Sequence, residues 1–80
     1  MPNLETRLVD CFRAIFPDLP EAHIRLASQD TVERWDSVAA ITLVNVIEEE
    51  FNTQIDFERL PDLDTFTNIL EYLTVDRRIN

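Results

Sequence analysis

The chain has 80 residues, 45% of them hydrophobic, and its 16 acidic and 7 basic side chains give a formal net charge of −9. This length allows one small domain, expected over residues 1–80, and the apolar fraction excludes wholesale disorder. A surface this negative repels phosphate backbones and anionic bilayers. We therefore expect no nucleic-acid or membrane partner, and we expect the protein to be a monomer.

The N-terminus and the cysteine content predict a compartment. Residues 1–5 lack the basic start and apolar region of a secretory signal, and no apolar run approaches membrane-spanning length. Cys11 is the only cysteine, so the fold does not depend on disulfides. We expect a cytoplasmic protein, and a free-standing one because the chain starts at a methionine and has no linker.

The first predicted helix spans residues 3–16, where apolar residues recur at helical spacing, and Pro17 ends it. Residues 17–35 then form a connection that is long for a compact domain. A short helical turn starting near Glu21 or Asp30 is compatible with these residues. The side chains expected to hold the connection on the core are Leu19, Ile24, Leu26, Val32 and Trp35.

A second helix is predicted from the N-cap Asp36 to Phe51 or Asn52, with a nearly continuous apolar interior typical of a central helix. Residues 57–60 allow one further turn before Pro61. Asp64 is the predicted N-cap of the last helix, and residues 76–80 are expected to fray. The chain has no glycine, so a turn with positive φ requires Asn or Asp. The predicted fold is an all-α antiparallel bundle of three main helices plus one short helix, with a long loop between the first two.

The residue types needed for catalysis or metal binding are nearly absent. One histidine, His23, and one cysteine cannot build an ordinary zinc site, and Cys11 lies on the apolar stripe of the first helix. His23 lies far from Ser37 along the chain, on the long connection, and is interpreted as a loop residue. Without glycine there is no phosphate-binding loop or calcium loop. We predict no catalytic residue, no metal site and no enzyme activity.

Ser37 is the candidate functional residue. A serine in the first turn of a helix is exposed where free amides and the helix dipole favour a phosphate. The run Glu48-Glu49-Glu50 marks a negative surface further along the same helix. Serine is also common at helix starts, so a purely structural cap is an alternative interpretation.

The residues around Ser37 resemble the acyl carrier protein family. Asp36-Ser37-Val38 is similar to the family's Asp-Ser-Leu motif at the start of its second helix, and residues 36–66 carry the most specific part of the likeness. The other matching positions are Ile41, Leu43, Val44, Ile47, Glu48, Glu49, Glu50, Phe51, Ile55, Leu63, Thr65 and Phe66. The resemblance implies that a phosphopantetheinyl transferase attaches 4′-phosphopantetheine from coenzyme A to Ser37, next to the motif residue Asp36. The arm would carry acyl or aminoacyl cargo as a thioester for fatty-acid-like, polyketide or other specialised biosynthesis.

The resemblance also implies partners. Loading and processing enzymes of this family read the second helix with basic docking patches. The positions expected to contact them are Val38, Ile41, Glu48, Glu49 and Leu63. Several positions depart from fatty-acid carriers and favour a specialised pathway: Trp35, Ala39, Thr42, Asn45 and Pro61. The alternative function is an unmodified acidic adaptor that binds a basic partner through the same helix.

Overall fold

The computed structural model describes residues 3–77 and the side chains of residues 3–75. Its elements are α1 (Leu4–Ile15), α2 (Glu21–Ile24), α3 (Ser37–Phe51), a 3₁₀ helix (Phe57–Asp62) and α4 (Phe66–Arg77). Over the described residues there is no strand, only an isolated bridge between Ser28 and Thr65. This confirms the all-α prediction with three main helices. The last three residues of the segment predicted to fray lie outside the described range.

Helix α1 begins and ends within one residue of the predicted bounds, because polar and proline residues bracket its apolar stripe. The Asn3 side chain accepts a hydrogen bond from the Thr6 amide at 2.8 Å, and the helix stops before Phe16 and Pro17. Arg7, near the start of α1, donates to the Glu50 carboxylate near the end of α3 at 2.9 Å. The two helices therefore run antiparallel. No described helix is long and apolar enough to cross a bilayer.

Helix α3 ends on a left-handed residue. Asn52 has φ 51° and ψ 52°, and it is the one residue in the described part of the chain with positive φ. Asparagine tolerates this conformation better than most residues other than glycine, because its short polar side chain can hydrogen-bond locally. The expectation that a glycine-free chain turns on Asn or Asp is confirmed here.

Two predicted boundaries before α4 are wrong. The 3₁₀ helix runs through Pro61, because that residue removes only one amide and the Leu63 amide closes the next turn on Leu60. Helix α4 is capped by Thr65, whose hydroxyl accepts from the Asn68 amide at 2.9 Å. The predicted cap Asp64 has a different task, since its backbone carbonyl accepts a hydrogen bond from Gln29 in the long connection.

The core is built around an aromatic cluster. The ring centroid of Phe12 lies 5.2 Å from those of Trp35 and Phe66, at angles favourable for edge contacts, and 6.3 Å from that of Phe16, whose ring is tilted. The long connection packs on this cluster through Trp35 and Ile24, and Leu19 and Val32 are half-buried. Leu26 was expected to do the same, but its side chain is 80% exposed. It follows the short helix α2, which turns it outward while Ile24 takes the inward position.

Candidate functional site

Ser37 is the first residue of α3, and Asp36 holds the start of that helix. The Asp36 carboxylate accepts a hydrogen bond from the Ala39 amide at 2.9 Å, and its backbone carbonyl accepts one from Ala40 at 2.8 Å. Asp36 is therefore the N-cap, as predicted. Ser37 is exposed at the end of the bundle.

Trp35 fixes the chain immediately before this cap. Its side chain is 2% exposed, and its ring packs against Phe12 at 5.2 Å and Phe16 at 6.1 Å, both on or next to α1. Because Trp35 is held in the core, the backbone two residues later cannot move far from the bundle. The prediction that Trp35 holds the connection on the core is confirmed.

The hydroxyl of Ser37 and the amides of Ser37 and Val38 have no hydrogen-bond partner among the residues that the structure describes, and both residues are exposed. These amides lie at the positive end of a 15-residue helix. The site therefore fits a phosphodiester on Ser37, with an unhindered oxygen to carry it and amides to bind it.

No described residue prepares Ser37 for catalysis. Its hydroxyl has no hydrogen bond to a carboxylate or imidazole, and His23 is exposed on α2. No group of three or more His, Cys, Asp or Glu side chains within the described range is placed to hold a metal ion.

One face of α3 leads away from Ser37 along the surface. This exposed α3 face consists of Val38, Ile41, Thr42, Asn45 and Glu49, spaced for one side of a helix. Val38 is 74% exposed and Ile41 is 47% exposed, so two aliphatic side chains lie beside the serine. The first charge on this face is Glu49, three turns along.

The three consecutive glutamates have different roles. The Glu48 carboxylate is half-buried and accepts a hydrogen bond from the Ile55 amide at 2.8 Å, which fastens the segment after α3. Glu50 pairs with Arg7. Glu49 is exposed and forms no ion pair with any described residue. The negative surface expected from the sequence is thus reduced on α3 mainly to Glu49.

Leu63 was expected at the partner surface, but it is 4% exposed and belongs to the core cluster. The short 3₁₀ helix turns it inward, toward α3 and α4. We therefore assign Leu63 to packing. Val38 and Ile41 remain exposed near Ser37, Glu49 remains exposed three turns along α3, and Glu48 is half-buried.

Sequence reasoning missed the role of Arg7. Its guanidinium pairs with Glu50 and lies over the Phe51 ring at 4.6 Å, which joins α1 to the end of α3. The partners are 43 residues apart along the chain, and no local spacing signals the contact.

Comparisons with known proteins agree with this geometry. Residues 35–73 match the model of the PP-binding family, described as a phosphopantetheine attachment site. The matched range starts at Trp35, includes Ser37 and all of α3, and ends inside α4. No curated protein and no solved structure matches the chain.

Proposed function

We propose that 4′-phosphopantetheine is attached to Ser37, because the chain belongs to the carrier protein family and Ser37 lies in the range, residues 35–73, that matches the family's phosphopantetheine attachment site. The attached group supplies a terminal thiol that carries acyl or aminoacyl cargo as a thioester. Proteins of this family are typically not catalysts, so the protein moves cargo between enzymes.

The observation that carries the assignment to Ser37 is that its hydroxyl is accessible. It is exposed, it has no protein hydrogen-bond partner in the described residues, and it lies at the start of α3 inside the matched range. The only other serine, Ser28, is half-buried, and its hydroxyl forms a hydrogen bond with the Thr31 hydroxyl at 3.1 Å.

The chain's own residues bind and position the arm. The amides of Ser37 and Val38 are placed to donate to its phosphate at the positive end of α3. Asp36 orders the first turn, and Trp35 anchors the preceding chain in the core. Together they hold the attachment oxygen at a constant place on the bundle.

Partner enzymes of this carrier are proposed to dock on the exposed α3 face. A phosphopantetheinyl transferase and the loading and processing enzymes must all reach Ser37, which lies at its end. Val38 and Ile41 offer apolar contact, and Glu49 offers a charge to a basic group on the partner. Glu48 contributes through its charge from a half-buried position.

The weak charge of this face supports a specialised pathway rather than housekeeping fatty-acid synthesis. Thr42 and Asn45, on the part of this face nearest Ser37, are uncharged, and Ala39 beside them is half-buried. We propose that the cargo is a polyketide-type, aminoacyl or modified acyl group.

The decisive experiment is modification with coenzyme A and a broad-specificity phosphopantetheinyl transferase. Intact mass should rise by one phosphopantetheine in the wild type, and Ser37→Ala should show no gain. Ser28→Ala is the matched control and should be modified like the wild type. Folding of each variant is checked by circular dichroism.

A folded wild type without mass gain would favour the adaptor, which would bind a basic partner through the same exposed α3 face. A mass gain that persists in Ser37→Ala would contradict the attachment residue.

A further inference from the structure

Surface grooves follow the long connection between α1 and α3. Two adjoining grooves of about 260 and 250 Å³ share Leu19, Thr31 and Val32. One groove continues to Phe16 and Arg34, and the other continues to Leu26. We call the pair the connection groove. Leu19, Leu26 and Val32 form an aliphatic wall, and the rest of the lining includes the charged residues Asp18, Glu33 and Arg34.

The connection groove starts at the end of the bundle that carries Ser37. Phe16 lines the groove and also packs on Trp35, two residues before Ser37. Arg34 lines the same end and lies three residues before Ser37. Because α1 and α3 run antiparallel, the end of α1 lies beside the start of α3. The groove after α1 and the serine at the start of α3 are therefore at the same end of the bundle.

The interior of the bundle has little room for an arm or its cargo. The void among α3, α4 and the 3₁₀ helix is about 10 Å³, enough for roughly one water molecule. In this conformation a group attached to Ser37 lies on the surface. The connection groove is more than twenty times as large in each of its parts.

The aliphatic wall of the groove includes a side chain that packs on no core. Leu26 is 80% exposed, beside the half-buried Leu19 and Val32. Exposed apolar surface of this kind is stabilised when a ligand covers it. Arg34, at the end of the groove nearest Ser37 in sequence, pairs with Asp18 at 3.3 Å, and the other N–H groups of its guanidinium have no acceptor among the described residues, so they can donate to carbonyl groups of the arm.

We propose that the 4′-phosphopantetheine arm itself lies in the connection groove when no partner enzyme holds it. The proposal rests on attachment at Ser37. The geminal dimethyl group of the arm contacts Leu19 and Val32, and its amides meet the polar rim at Thr31 and Arg34. Attachment makes the contact intramolecular, so a weak interaction suffices to populate it.

The test compares amide and methyl NMR spectra of the protein before and after modification by the transferase. We expect shift changes at Leu19, Leu26 and Val32, and nuclear Overhauser contacts between the dimethyl group of the arm and the methyls of Leu19 and Val32. Shift changes confined to the residues next to Ser37 would contradict the proposal that the arm lies in the connection groove.

Leu26→Asp should reduce the shift change at Val32 by about half or more, because it places a charge in the aliphatic wall without disturbing the core. Phe57→Asp, at another exposed apolar position on the 3₁₀ helix, is the matched control and should leave the change intact. Equal effects of both variants would contradict the proposal. A mass gain without groove contacts defeats only this inference, whereas no mass gain defeats attachment itself.

Discussion

Trp35 and Ser37 lie on either side of Asp36 and have opposite surroundings. Trp35 is almost fully buried in the aromatic cluster, and Ser37 is exposed. The Trp35 indole N–H finds no acceptor among the described residues. Its contribution to stability therefore comes from ring packing and not from a hydrogen bond.

This predicts a difference between two substitutions of Trp35. Trp35→Ala should lower the free energy of unfolding by about 3–5 kcal/mol because it leaves a cavity. Trp35→Phe should cost under about 1.5 kcal/mol, because it keeps an aromatic ring and removes an unsatisfied donor. Urea denaturation followed by circular dichroism measures both. Equal losses would mean that the indole N–H has a partner.

Cys11 is a buried thiol whose protonation is linked to stability. Burial, and secondarily the negative charges of Glu50 and Asp10, raises its pKa from 9.0 to about 11. Between these values the unfolded thiol loses its proton while the folded thiol keeps it, so stability falls as pH rises.

The loss linked to Cys11 should reach about 2–3 kcal/mol by pH 11. Cys11→Ala should show a shallower decline of unfolding free energy from pH 8.5 to 11, measured by urea denaturation at each pH. Other groups titrate in both proteins, so the difference between the two curves isolates Cys11. Parallel curves would contradict the linkage.

At the scale of the helix, the end of α3 is fastened by two carboxylates of an acidic run. Glu48 accepts the Ile55 amide, Glu50 pairs with Arg7, and Glu49 stays in solvent. Three identical neighbours therefore divide between a loop contact, a helix–helix contact and the exposed α3 face. The charge that α3 presents to solvent depends on which side of the helix each glutamate occupies.

Glu48→Ala should destabilise the fold by about 1–3 kcal/mol because the Ile55 amide loses its acceptor. Glu49→Ala is the matched control and should stay within about 0.5 kcal/mol of the wild type, as expected for an exposed position. Thermal and urea denaturation give both values. A larger effect at Glu49 would show that the two side chains have been assigned the wrong roles.

For the whole molecule, the dominant electrostatic term is the net charge of −9. The described ion pairs, such as that of Arg34 with Asp18 at 3.3 Å, lie on the surface. Pairs of this kind contribute about 0–1 kcal/mol each. Repulsion among the excess carboxylates opposes the compact state over longer distances.

Salt should therefore stabilise this protein. Raising sodium chloride from low to moderate concentration screens the repulsion and should increase the melting temperature by about 5 °C, equivalent to roughly 1 kcal/mol in a domain of this size. Potassium chloride should act alike, which separates screening from binding of a specific ion. A lower melting temperature in salt would mean that the ion pairs outweigh the net charge.

Local interactions account for what could be predicted from the residues alone. The cap at Asp36, the exposed Ser37 after it and the left-handed Asn52 depend on neighbours within a few positions. Apolar periodicity likewise predicted three helices, because helical hydrogen bonds join residues four apart.

Contacts between distant residues decided the rest. Leu63 became core and Leu26 stayed exposed, although both are leucines in connecting segments. The separate roles of Glu48 and Glu50 depend on Ile55 and Arg7, which only the packed bundle brings to them. A side chain's partner across the fold is set by how the helices pack, and helical spacing carries no information about it.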